Sequence, residues 1–118
     1  MREIKFRAWD KYKKFMYEIG RLDFPINSPD YENIEIMQFT GLLDKNGKEI
    51  YEGDIIRVPK SVMDRIGGSI LITFVQWSDT SATWMVGRNT HIANTYLWLL
   101  NKCCEVIGNI YENKDLLK

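Results

Sequence analysis

The sequence predicts an all-β (mainly β) domain: a small barrel with an N-terminal β-hairpin extension and one or two short helical turns. Three observations carry that prediction. Short stretches of alternating apolar and polar residues recur along the chain, turn-forming residues separate them at close intervals, and helical periodicity is marginal throughout. The length of 118 residues is that of a single compact domain with room for a real core.

Glu3 to Trp9 alternates, with Ile4, Phe6 and Ala8 on one face and Lys5, Arg7 and Trp9 on the other, the pattern of a half-buried strand. Asp10 to Lys14 is polar and turn-prone, and Phe15-Met16-Tyr17 returns as a second strand, closing a hairpin. Between Gly20 and Asn33 the residues Pro25, Asn27, Ser28, Pro29 and Asp30 disfavour regular structure and make the longest loop. Residues 1–40 therefore read as hairpin and linker, and residues 41–118 as the barrel with a C-terminal tail, the two forming one compact unit.

Ile34 to Phe39 alternates again. Asn46-Gly47, inside Asp44 to Lys48, is the strongest short-range hairpin signal, because both residue types tolerate the positive φ that tight turns require. Glu52-Gly53-Asp54 forces another turn, and Asp54 to Val58 continues as a strand until Pro59, which has no N–H for a ladder. Ser61-Val62-Met63-Asp64 has the spacing of an N-cap with an acid three residues on, followed by the stop Gly67-Gly68, which predicts a helical turn starting at Ser61.

Ser69 to Trp77 is apolar on both faces, with Ile70, Ile72 and Phe74 opposing Leu71, Val75 and Trp77, so each face needs a cover. Thr83 to Gly87 pairs back as a hairpin. From Asn89 to Asn101 the residues Ile92, Tyr96, Leu99 and Leu100 fit helical spacing, although Tyr96 to Leu100 equally fits a strand. Cys104 to Tyr111 alternates as the last strand. Strands spaced this way from Gly41 to Glu112, with a helical turn in one loop, match a five-stranded SH3-like barrel with the N-terminal hairpin packed outside it.

Several chemistries are excluded or weakened by composition. Sixteen Lys and Arg against sixteen Asp and Glu give a net charge of zero, which lacks the electrostatic footprint of a typical nucleic-acid binder. The only histidine, His91, rules out zinc sites needing two imidazoles, and Cys103 and Cys104, being adjacent, cannot build a finger. Neighbouring thiols close only a strained ring, so both are expected reduced in a cytoplasmic protein, Cys104 in the core and Cys103 at the surface. The charged N-terminus is not a secretory signal, and no apolar run approaches a membrane span. No cofactor motif occurs: Gly67-Gly68 lacks the Lys and Ser/Thr of a P-loop, and no nucleophile elbow is present.

Three groups of residues compete for a functional role. Glu49, Glu52 and Asp54 form the best carboxylate cluster for a divalent metal or acid/base work, but turns attract acids for backbone capping, and that reading outweighs a metal-dependent enzyme. Arg7, Trp9, Lys11, Lys13 and Lys14 form the one basic and aromatic patch, suited to stacking bases while neutralising phosphates. Leu71, Val75, Trp77, Trp84, Tyr96 and Trp98 exceed what one small interior can hold and predict an exposed apolar surface buried between copies in a homo-oligomer.

Three blocks of sequence carry a family resemblance. Arg2 to Asp10, Met37 to Ile55 (MQFTGLLDKNGKEIYEGDI) and Glu105 to Asn113 (EVIGNIYEN) resemble, in order and over nearly the whole chain, the YopX-like family of phage and prophage proteins. The resemblance implies a phage-derived protein with a C-terminal SH3-type barrel, and it brings no catalytic residues to carry over. Lys114-Asp115 departs from the family pattern after the final Tyr-Glu-Asn. The expected function is a non-enzymatic module that binds a macromolecule, a phage or host protein or a second copy before nucleic acid, with no membrane partner.

Overall fold

The computed structural model describes residues 3–19, 33–66, 72–87 and 95–117. The fold is mainly β, as the alternation predicts. Its elements are β1 (Phe6–Asp10), β2 (Phe15–Ile19), β3 (Ile34–Leu43), β4 (Glu49–Tyr51), β5 (Asp54–Arg57), α1 (Lys60–Ile66), β6 (Ile72–Ser78), β7 (Thr83–Gly87), β8 (Thr95–Tyr96), α2 (Leu97–Leu100) and β9 (Glu105–Asn109), closed by a 3₁₀ turn at Lys114–Leu117. They form a four-stranded sheet in the order β2-β1-β3-β4 and a five-stranded sheet in the order β8-β7-β6-β5-β9.

The N-terminal hairpin forms because Asp10 organises its turn: its Oδ1 accepts from the amides of Tyr12 and Lys13 at 2.9 and 2.8 Å. β1 then pairs β2 on one side and β3 on the other, so it is a central strand. Ala8, Trp9 and Asp10 are consecutive and all buried, which corrects the expectation of a half-buried strand with Trp9 on an open face. β3 runs on through Thr40 and Gly41, pairing β1 with its first half and β4 with its second, and its register shifts between Phe39 and Leu43.

Both turns read from the sequence are present. Gly47 and Gly53 have φ of +81° and +84°, values that residues bearing a Cβ adopt at a cost. The Glu52-Gly53 turn is the junction between the sheets. The Glu52 amide donates to the Gln38 carbonyl on β3, the Gly53 amide donates to Val75 on β6, and the Gly53 carbonyl accepts from Ile110.

α1 begins at Lys60, directly after Pro59, so Ser61 lies inside the helix and is not its cap. The proline at the boundary supplies the start, since its missing N–H is one the helix end leaves unpaired anyway. Val62 from α1 joins a core made of Ile50, Ile56, Val58, Val75, Val86, Leu97, Leu100, Cys104 and Val106. Within β6 the buried residues are Thr73 and Val75, while Ile72, Phe74 and Gln76 are half-buried. The closing 3₁₀ turn packs against β6.

The 89–101 segment resolves, in its described part, into both alternatives. Thr95 and Tyr96 pair with β7 as an edge strand, and one helical turn follows in which Leu97 and Leu100 face the core. Tyr96 and Leu99, grouped with Leu100 by helical spacing, are exposed. In β9 the strict alternation is interrupted: Ile55 pairs Gly108 but Ile56 pairs Val106, so Ile107 is an extra residue and the buried set passes from Val106 to Asn109. Among the described residues no helix is long and apolar enough to cross a membrane.

Candidate functional site

The three carboxylates of the candidate acid cluster are close in sequence and separate in role. Glu49 forms an ion pair with Lys5. Asp54 is 1% exposed; it pairs with the Arg7 guanidinium and accepts the Tyr51 amide at 2.8 Å. Glu52 is half-buried beside β3, accepting from the Gln38 amide at 3.4 Å. Burial raises the carboxyls of both Glu52 and Asp54 above the ordinary range, with the Gln38 amide opposing the shift at Glu52, and Arg7 and the Tyr51 amide opposing it at Asp54. Among the described residues no three His, Cys, Asp or Glu side chains gather as metal ligands.

The basic and aromatic patch is also redistributed. Arg7 turns inward, lying over the Tyr51 ring with its guanidinium carbon 4.7 Å from the centroid, so it ties β1 to the β4–β5 turn and is no phosphate contact. Trp9 stacks on Tyr111 with centroids 6.0 Å apart and is 8% exposed, which removes it as a base platform. Lys11 pairs with Glu35 at 2.8 Å. Lys13 and Lys14 remain exposed at the hairpin tip beside Tyr12.

The apolar surplus divides between interior and edge. Val75 is 1% exposed and belongs to the core, a correction to its expected place at an interface; Leu71, like His91, lies outside the described residues. Trp84 is half-buried against the core cluster. Trp77 stands 45% exposed, crossing Trp84 edge-on at 5.0 Å and 72°. Trp98 is 58% exposed and Leu99 49%, and Trp98 stacks on the partly exposed Tyr96 at 5.9 Å. Tyr96 lies on β8, a strand that closes one end of its sheet. Aromatic rings stacked in water along a sheet edge form the surface with most to gain from a partner.

A cleft of about 330 Å³ lies between the hairpin and β4, with Arg7, Tyr17, Glu18, Glu49 and Tyr51 in its wall. Another, of about 420 Å³, is lined by Gln38, Glu52, Trp77 and Trp84. The cysteines match expectation in part: both are free, and Cys104 is buried, its thiol pushed up to about 12 by burial and then by Asp44. Cys103 is half-buried against the core and is not a surface thiol.

A family model described as YopX protein matches residues 5–118. The chain belongs to the YopX protein family. The match takes in the hairpin, the Glu52-Gly53 junction and the β8 edge, so the site geometry lies within the family domain. This YopX family member is also similar to the crystal structure of protein EF1440 from Enterococcus faecalis, at 29% identity and a TM-score of 0.63, covering 98% of each chain. No curated protein matches the chain.

Proposed function

We propose that the chain is a phage-type, cytoplasmic, non-enzymatic binding module whose partner is a protein, in the first instance a second copy docking on the β8–α2 edge. One observation carries the reading: Tyr96, Trp98 and Leu99 are 39%, 58% and 49% exposed on adjoining elements where, among the described residues, β8 has a sheet neighbour on one side. Aromatic residues of this kind are the usual anchors of protein interfaces, and an unpaired strand edge offers backbone groups to a second strand. The separate engagements of Glu49 and Asp54 support a non-catalytic role. The free, adjacent cysteines support a reducing compartment.

Amide hydrogen exchange over a dilution series tests the reading. Protection at Thr95 to Leu99 that rises with protein concentration, while β1 to β3 stay constant, is the expected result. Exchange at this edge that is independent of concentration refutes self-association there. A nucleic-acid reading retains only Tyr12, Lys13 and Lys14, and it predicts binding that weakens steeply with salt and disappears when both lysines become Glu.

A further inference from the structure

We infer that the cleft between the Glu52-Gly53 turn and the β6–β7 hairpin is a receptor for an arginine side chain presented by a protein segment. It uses no residue of β8 or α2, and it takes from the proposed function only that the ligand belongs to a protein.

Two kinds of group meet there. Trp77 and Trp84 cross edge-to-face at 72°, so the ring that points its edge at its neighbour keeps both of its own faces out of the pair. The faces of indole rings carry negative charge density and attract a cation. Glu52 and Gln38 line the same cleft. The Glu52 carboxylate, half-buried, has one weak amide donor at 3.4 Å and no cationic partner among the described residues, whereas Glu49, three residues away, is neutralised by Lys5. The turn joining β6 to β7, residues 79–82, contains Asp79 and no Lys or Arg.

Charge and shape select the ligand together. An anion would meet a carboxylate and two π faces, and a neutral apolar group would leave Glu52 partly desolvated without compensation. A guanidinium suits both kinds of group: its flat face matches indole, and its fork of N–H donors matches the Glu52 carboxylate and the Gln38 side-chain amide oxygen. An ammonium supplies the charge but neither the plane nor the fork. The cleft's volume of about 420 Å³ falls in the lower part of the roughly 300–1,000 Å³ range of small-ligand sites, enough for a side chain.

The test is titration of the full chain at pH 7.5 with the capped tripeptides Gly-Arg-Gly, Gly-Lys-Gly and Gly-citrulline-Gly, read at the indole N–H resonances and assigned with Trp77→Phe and Trp84→Phe. The arginine peptide is expected to shift the Trp77 and Trp84 signals saturably and to leave Trp9 unmoved. Citrulline, nearly isosteric and uncharged, should bind about ten-fold more weakly, as should the arginine peptide with Glu52→Gln, a difference of ~1.4 kcal/mol. Absence of a saturable shift, equal binding of citrulline, or full binding by Glu52→Gln overturns the inference; equal binding of lysine overturns the assignment to a guanidinium. Repeating the titration in Trp98→Glu separates the two readings, because a shift retained there stands whether or not the β8 edge self-associates.

Discussion

Replacing Arg7 with Met removes the only cation paired with Asp54 among the described residues and leaves a carboxylate that is 1% exposed. Arg7 is itself 12% exposed, so solvent screens the pair little. Breaking a buried pair from one side costs roughly 3–5 kcal/mol, and loss of the guanidinium from the Tyr51 face adds ~0.5–2 kcal/mol. Against a total stability of about 5–15 kcal/mol, the variant stays folded at low temperature and melts ~10–25 °C lower. Removing both charges, in Arg7→Met with Asp54→Asn, should cost less than Arg7→Met alone, because no charge is then stranded and Asn still offers an oxygen to the Tyr51 amide. The pH dependence has a defined sign. A carboxyl raised by burial contributes stability below its unfolded pKa and loses it as pH rises through the folded value, so Arg7→Met should be worst at pH 8 and partly recover near pH 4. Urea unfolding of the four proteins of the cycle at both pH values gives the answer. A cost below ~1 kcal/mol for Arg7→Met, or strictly additive substitutions, would refute the claim that this pair joins the hairpin to the barrel.

Substitutions at three other positions probe the frame. Asp44 accepts amides from Asn46, Lys48 and Val106 at 2.8 to 2.9 Å; burial pulls its carboxyl up, the amides outweigh it, and the group sits below its usual range. Asp44→Ala should cost about 2–4 kcal/mol by urea unfolding. The stability that ionised Asp44 supplies is present above the unfolded pKa and is lost as pH falls through the folded one, so Asp44→Asn should flatten the acid limb of the stability curve. Gly53 combines φ +84° with Ile110 and Met37 atoms at 3.5 Å from any added Cβ, so Gly53→Val should cost more than the ~1 kcal/mol of an ordinary glycine replacement; an unchanged melting temperature contradicts this. Tyr51 carries a buried hydroxyl with no hydrogen-bond partner among the described residues, so Tyr51→Phe should be neutral or stabilising by up to ~1 kcal/mol, and a loss of more than ~1 kcal/mol would reveal a partner.

What could be read in the chain was what short-range chemistry determines. Asn46-Gly47 and Gly53 announce their turns because positive φ restricts the residue types allowed there. The alternation of Ile34 to Phe39 marks a strand whatever its neighbours. The pairings between distant elements left no local trace. Arg7 meets Asp54 across 47 residues and Asp44 caps Val106 across 62, and in sequence each looks like a surface charge. The core face of β6 was illegible for a different reason: both faces are apolar, so periodicity does not distinguish Val75, which is buried, from Phe74, which is half-buried. The extra residue Ile107 defeats the period of two in β9. At the candidate site, the exposed Trp77, Tyr96 and Trp98 follow from the excess of large apolar residues over one small interior. The cleft of Trp77, Trp84, Glu52 and Gln38 needed the sheet junction to bring it together.

Sedimentation equilibrium at micromolar concentration tests most directly the proposal that the β8–α2 edge is an interface between copies. An assembly of at least twice the 13.9 kDa chain mass is expected for the natural sequence, and the single-chain mass for Trp98→Glu with its fold intact by circular dichroism. A mass of 13.9 kDa for both proteins would contradict it.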